Sequence, residues 1–450
     1  MEKLMLSEIA GVLGKDIDSD MEIYDVCIDT RTLTKGCLFI AIKGDNFDAH
    51  TFVPQAVEQG AVMCLTEREI EGCPCIVVES CRDAFIKIAH YYRMKFDINL
   101  VGVTGSVGKT TTKEMISLVM SKKYNTLKTK GNLNNAIGMP RTLLTLNNEH
   151  QSAVIEMGMS DFGEISLLSK TAVPNLAVIT NIGFSHIEKL KSQEGILRAK
   201  LEILDGMTEN APLIVNADDS LLFGVKDKLE RKVYTFGINN PQADYRAVNL
   251  NEHDGVTEFD ICYQEKTVHI VLTAIGHHNV LNALTAFAIG SILGIEDDVM
   301  TSAFTEFVPD SLRQNISVKN GQTVITDCYN ASPDSMKASL TVLSGLKTEG
   351  RKIAVLGDML ELGEMSEMLH RKVGQMAVSA NPDMLFCYGK DSAYIADEAE
   401  KSGIKVYYSD DKYAVTDALN NFVQAGDAVL FKASRGMKLE EIINKIYGEK

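Results

Sequence analysis

The sequence predicts an α/β protein of three domains. These are a small mixed α/β domain over residues 1–97, a central parallel-sheet domain over 98–310, and a doubly wound, Rossmann-like domain over 311–450. Three observations predict this. A length of 450 residues suits about three domains at roughly 150 residues each. Two long stretches alternate continuous apolar runs with helical spacing, the pattern of parallel sheets covered on both faces. Between the first such run and its helix stands a glycine loop, TGSVGKTTTKEM (residues 104–115).

In chain order, residues 1–97 mix short patterns: CLFIAI (37–42) reads as a buried strand, and 56–61 as a helix ending at Gly60. From Ile98 the regime changes. INLVGV is a buried strand, the loop follows, residues 111–120 have helical spacing, and 153–155 and 176–179 are further strands. A third alternation begins near 311, with strands at 323–326, 352–356, 384–388, 405–408 and 428–432, each before a turn and a helical stretch.

Composition is globular, 45% hydrophobic and 24% charged without a low-complexity tract. The net charge of -16 opposes nucleic acid and anionic membrane surfaces as partners. Nine cysteines are scattered; only Cys73 and Cys75 lie close, and no second Cys/His pair completes a metal site, so reduced thiols are expected. The start MEKLMLSEIAGVLG is too charged for a signal peptide, and no run reaches membrane-span length. A cytoplasmic protein without membrane insertion, working as a monomer, is expected.

A glycine loop between a buried strand and a helix converges backbone N–H groups on one point, where the helix end adds partial positive charge. Thr104, Gly105, Ser106, Val107, Gly108, Lys109, Thr110 and Thr111 therefore form a candidate nucleotide-phosphate site, with Lys109 toward the outer phosphates and the Thr110 hydroxyl toward Mg2+. The alternative is a tight turn that merely uses glycine. The strict phosphate-loop pattern also wants glycine where Val103 stands, and Gly102 is one place too early.

Glu156 and, through Asn181, His186 close two further strands, at the sheet edge where open parallel sheets bind ligands. Beside the loop they suit magnesium around a triphosphate; taken singly, they read as a solvated strand end and a hydrogen-bonded loop residue. Lys200 falls on one helical face with Ile196, Ile203 and Met207, while Arg198, Glu202 and Asp205 lie opposite. On periodicity alone a snorkelling lysine leads over a buried, reactive amine of lowered pKa.

These features together resemble the Mur ligase family of peptidoglycan synthesis, whose loop reads Thr-Gly-x-x-Gly-Lys-Thr without the earlier glycine. The resemblance covers essentially the whole chain. DTRTLTKGCLFIAIKGDNFDAHTF (29–52) resembles the domain that holds the UDP-sugar end of the substrate, which implies Thr30, Arg31, Asp48 and His50 as substrate residues. GNLNNAIGMP (131–140) resembles the Asn-rich loop and implies Asn134 near the nucleotide. AIGHHNVLNALTA (274–286) resembles the adenine segment, implying His278, Asn279 and Asn282 near the base. Arg313 falls where the family directs an arginine at the phosphates, and Asp327 where it places an aspartate near the ribose. Thr30, Ala49, Leu312 and Ala433 stand where the family more often has Ser, Gly, Gly and Gly.

DCYNASPDSM, LGDMLELGE and FKASRGM most resemble the branch that adds D-alanyl-D-alanine, and the diamino-acid branch's Asp-Asn-Pro-Arg-type motif is missing. The resemblance implies an ATP-dependent ligase acting on UDP-N-acetylmuramoyl-tripeptide, with Asn330, Ser332, Ser434 and Arg435 at the dipeptide. It also implies Lys109, Lys200, His186 and Arg313 as catalytic residues. One Mg2+ would lie on Thr110 and Glu156, the other on His186, Glu156 and a carbamylated Lys200. The rivals are a sibling ligase adding a single amino acid, a phosphate-loop ATPase acting through protein partners, and a folate or polyglutamate ligase of the same superfamily; the absence of Asn-Lys-x-Asp after the loop counts against a guanine-reading switch, and the 29–52 and NASPDSM segments against the folate ligase.

Overall fold

The computed structural model describes residues 1–44 and 47–448. Of the undescribed positions, 45 and 46 fall inside the N-terminal segment singled out above. Four sheets organise the described residues. Strands Leu4–Met5 and Glu22–Ile23 pair antiparallel at the start. Asp25–Cys27, Cys37–Ile40, Met63–Thr66 and Cys75–Val77 then form a wholly parallel four-stranded sheet. Every residue of Cys37–Ile40 is buried, which is why the run reads as continuously apolar. The helix after it is Val53–Gln59, with Pro54 in its first turn and Gly60 closing it at φ 109°.

Helix Cys81–Arg93, capped by the Ser80 hydroxyl on the Asp83 N–H, fastens this region to the central one. Tyr92 Oη donates to the Leu146 carbonyl at 2.6 Å, and Arg93 Nε to the Ala172 carbonyl at 3.0 Å.

The central sheet has nine strands. Its parallel part runs Thr126–Lys128, Ser152–Glu156, Asn99–Thr104, Leu176–Ile179, Leu213–Asn216, Val233–Gly237 and Tyr245–His253. The expectation of a parallel sheet needs correction at the far edge. Val256–Tyr263 and Lys266–Leu272 add an antiparallel meander. Asp254-Gly255 and Gln264-Glu265 both have positive φ, the geometry of two-residue hairpins, and Val256–Tyr263 alternates buried with half-buried residues. The Asp-Gly pair was a readable hairpin signal.

The last sheet runs Asn315–Lys319, Gln322–Thr326, Ala428–Lys432, Lys352–Gly357, Met384–Tyr388 and Val406–Ser409. All neighbours are parallel except the first pair, a hairpin over Asn320-Gly321 that the alternation pattern did not anticipate. Helices cover the parallel strands, so the α/β class holds. Among the described residues no helix is long and apolar enough to cross a membrane.

Candidate active site

Strand Asn99–Thr104 lies between Leu176–Ile179 and Ser152–Glu156, and the glycine loop leaves its carboxyl end. A Cβ on Gly105, at φ 152°, would lie 1.8 Å from Thr180 Oγ1, so only glycine lets the loop fold back. Gly108, at φ 86°, opens helix Lys109–Ser121. The loop is held from the neighbouring strand end. Asn181 accepts the Val107 N–H at 2.9 Å and donates to the Val107 carbonyl at 2.9 Å, while Ser106 N–H donates to the Asn181 carbonyl at 3.0 Å. Asn181 thus grips the loop from outside it.

Lys109 folds over its own loop, with Nζ donating to the Gly105 carbonyl at 2.8 Å. Burial, with Arg313 nearby, pushes its amine below the usual lysine range. Glu156 is 1% exposed. Its two oxygens accept from Thr110 Oγ1 at 2.9 Å and Asn134 Nδ2 at 2.8 Å. The pair of hard oxygen donors, Thr110 and Glu156, fits magnesium, which takes one or two protein oxygens and completes its shell with phosphate and water. Among the described residues no group of three or more His, Cys, Asp or Glu side chains could hold an ion alone.

His186, at φ 61°, turns its Nδ1 to Glu361 at 2.7 Å across the boundary with the C-terminal region. Burial, with Lys109 and Lys200 nearby, holds the imidazole below its ordinary value in spite of Glu361. Lys200 is 2% exposed on helix Gln193–Leu201, where Ile196 and Ala199 are also buried. The snorkelling alternative is therefore set aside: burial, reinforced by Lys109, drives its amine well below the usual value, toward the neutral form.

His278, Asn279 and Asn282 stand in the first turns of helix His277–Ile292 and belong to one hydrogen-bond chain, buried at its Asn279–Asn282 end. Thr112 Oγ1 donates to Asn282 Oδ1 at 2.8 Å, Asn282 Nδ2 to Asn279 Oδ1 at 3.3 Å, and Asn279 Nδ2 to Gln314 Oε1 at 3.0 Å. His278 Nε2 also meets Gln314. The Arg313 guanidinium stacks 3.8 Å over the Tyr329 ring. Asp327 is engaged by Lys432 Nζ at 2.7 Å and Ser339 Oγ at 2.5 Å; burial alone would raise its carboxyl, but these partners bring it below its usual range.

A cavity of about 950 Å³ gathers most of these groups. The loop from Ser106 to Thr111 lies on its wall with Asn134, Glu156, His186, the three residues of the adenine segment, Arg313 and Asp327. Asn330 and Ser332 from the C-terminal region complete it. Thr104, Gly105 and Lys200 are not on this wall. Ser434 and Arg435 border a second, smaller cavity. Thr30, Arg31, Asp48 and His50 lie on the N-terminal region and line neither cavity. There Arg31, 86% exposed, pairs with Asp29 at 2.6 Å. The buried His50 ring spends both nitrogens internally, on Asp48 at 2.5 Å and on the Glu67 N–H at 2.8 Å.

Family models match the chain in three places: Mur ligase family, catalytic domain, over 22–93; Mur ligase middle domain over 103–290; and Mur ligase, glutamate ligase domain, over 313–435. The chain belongs to the Mur ligase family. Similar to it is the UDP-N-acetylmuramoyl-tripeptide--D-alanyl-D-alanine ligase of Bacillus subtilis (strain 168), 40% identical with 97% of this chain and 96% of the relative covered. The protein of that name from Escherichia coli (strain K12) is 35% identical over 99% of each. Among solved structures, MurF from Acinetobacter baumannii superposes with a TM-score of 0.92 at 30% identity, covering 99% of both chains. MurF ligase from Thermotoga maritima in complex with ADP gives 0.86 at 30% identity, covering 94% of this chain and 96% of that one.

In this Mur ligase several site residues escaped the sequence reading. Gln314 carries no local signal, because its position follows only from the chain's left-handed turn at φ 50°. Arg82 reaches the large cavity from the N-terminal region and sits in an ordinary helical start. Glu361 and Lys432 lay inside segments already singled out, but only their pairing in space gives them a task.

Proposed function

We propose that this Mur ligase joins the terminal carboxylate of UDP-N-acetylmuramoyl-tripeptide to the amine of D-alanyl-D-alanine at the expense of ATP, releasing ADP and phosphate, in the cytoplasm. The observation that carries the reading is one large cavity whose lining joins a phosphate loop and the Thr110–Glu156 pair to Asn330 and Ser332 of the C-terminal region. A switch ATPase has no need of such residues from a second region beside its nucleotide loop. The relatives named above support the choice of acceptor.

A carboxylate is a poor acyl donor at neutral pH, so it first attacks the γ-phosphate to give an acyl phosphate and ADP. The dipeptide amine then attacks the acyl carbon and phosphate leaves. Lys109 swings from its loop carbonyls to the outer phosphates, and Arg313 adds a second positive charge, so both act by positioning and charge neutralisation. Magnesium on Thr110 and Glu156 would supply further neutralisation of the triphosphate. Asn134 fixes the Glu156 carboxylate from its other side. Burial pushes the Lys200 amine toward the neutral form, the form that adds carbon dioxide, and a carbamate there would bring an anionic oxygen donor beside His186.

The test is incubation with ATP, magnesium, UDP-N-acetylmuramoyl-tripeptide and D-alanyl-D-alanine, followed by mass spectrometry. The pentapeptide-bearing nucleotide is expected. A product formed instead from the dipeptide precursor and a free amino acid would move the assignment to a sibling ligase.

A further inference from the structure

Lys113 is fully buried, and the mechanism above gives it no task. It follows Thr110 by one turn of helix Lys109–Ser121, so the two side chains share a face. Its Nζ donates to the Thr129 carbonyl at 2.7 Å and pairs with Glu114 at 2.9 Å, a carboxylate that Lys128 also holds. Thr129, likewise fully buried, is where the chain of strand Thr126–Lys128 leaves the sheet. Its N–H still donates to the Val154 carbonyl at 3.1 Å, in register with the parallel pairing to Ser152–Glu156. A continued ladder would send the Glu156 N–H to the Thr129 carbonyl. That N–H goes instead to the Thr129 hydroxyl at 3.0 Å, and the carbonyl is taken by Lys113.

A buried carbonyl turned out of its ladder needs another donor, and a buried ammonium group needs acceptors; here each serves the other. The exchange lets the chain turn away through Lys130-Gly131, with Gly131 at φ 54°, into the loop whose Asn134 holds the second Glu156 oxygen. We propose that Lys113 is a positioning residue for Glu156. Through Thr129 it fixes the Glu156 backbone and the start of the Asn134 loop, and so aims the carboxylate at Thr110 and at the magnesium of the nucleotide. The inference rests on the reading of Thr110 and Glu156 as magnesium ligands. The phosphate-loop helix then grips the strand end twice, directly through Thr110 and indirectly through Lys113.

The test measures ADP binding by calorimetry across a magnesium titration, without turnover. In Lys113→Met the magnesium concentration at half of the affinity gain is expected to rise about tenfold, the effect of losing a group that orients a metal ligand. ADP affinity without magnesium should stay within about twofold, because the phosphate loop is untouched. Thr129→Val keeps the lysine but removes the acceptor of the Glu156 N–H, so it should raise the same midpoint. The double variant should raise it by less than the product of the two, since both act through one connection. Tyr92→Phe removes a buried hydrogen bond on neither cavity wall and should lower the melting temperature while leaving the midpoint unchanged. An unchanged midpoint in Lys113→Met, or an equal rise in Tyr92→Phe, overturns the assignment. If Lys113→Met does not fold, an unchanged midpoint in Thr129→Val overturns it. Thr110→Val separates the two readings: it should raise the midpoint too, and a midpoint indifferent to Thr110→Val sinks the magnesium pair together with this inference.

Discussion

The Thr110 hydroxyl donates to Glu156 Oε2 across 2.9 Å, joining the first turn of the phosphate-loop helix to the end of the adjacent strand. Each residue belongs to a different strand–helix unit, and only the parallel pairing of Asn99–Thr104 with Ser152–Glu156 sets them side by side. Thr110→Val and Glu156→Gln should therefore raise the magnesium concentration needed for half-maximal activity by about tenfold or more, and lower kcat by roughly 100-fold. Chelation of magnesium should abolish turnover of the parent. Magnesium titration of the ATP-dependent rate checks both, and an unchanged magnesium requirement would exclude the pair as ligands.

Lys109 should matter to the reaction far more than to the fold, because its hydrogen bonds run to carbonyls of its own loop. Lys109→Met is expected to lower kcat by about 1000-fold while shifting the melting temperature little. Single-turnover formation of ADP separates this from a failure to bind the UDP precursor.

Lys200 gives a prediction with a defined sign. Its folded-state amine is pushed well below the ordinary 10.5, so the unfolded chain binds a proton that the folded chain does not. Stability should then rise with pH until that ordinary value is passed. Lys200→Met removes the proton difference, so its stability–pH curve in bicarbonate-free buffer should be flatter and its stability at neutral pH equal to or above the parent's. Activity should fall sharply in the same variant and, for the parent, respond to added bicarbonate. Undiminished activity in Lys200→Met would remove the carbamate from the mechanism.

The buried Lys432–Asp327 pair lies on the lining of the same cavity as the loop. Lys432→Met leaves Asp327 without its cation and should destabilise the protein by about 3–5 kcal/mol at neutral pH. In the parent, Asp327 lies below its usual range, so its contribution is present above the unfolded value and lost as pH falls through the folded one. In the variant burial dominates and raises the carboxyl, so the deficit should shrink on acidification. Denaturant melts at two pH values measure the change of slope.

Much of the site was legible because its chemistry is written in contiguous residues. The order strand, Gly-Lys-Thr and helix announces the phosphate loop, whereas the stripe through Ile196, Lys200 and Ile203 put the lysine on an apolar face without separating a buried amine from a snorkelling one, which only its burial in the fold decides. The three antiparallel hairpins were less visible because their short alternating strands compete with the stronger α/β rhythm around them. Gln314 and Arg82 were not visible at all. Each is an unremarked polar residue whose neighbours are distant in the chain, as with Gln314 and Asn279.

What the sequence determined by itself was the class of fold, the loop, and the polar residues that end buried strands, since periodicity and local backbone geometry depend only on nearby residues. The tertiary structure decided the partners. It turned His186 toward Glu361, spent His50 inside its own domain, pinned Asp327 on Lys432, and opened a second cavity between Glu361 and Arg435. Those outcomes depend on how sheets and domains pack, and packing brings together side chains that no local pattern relates.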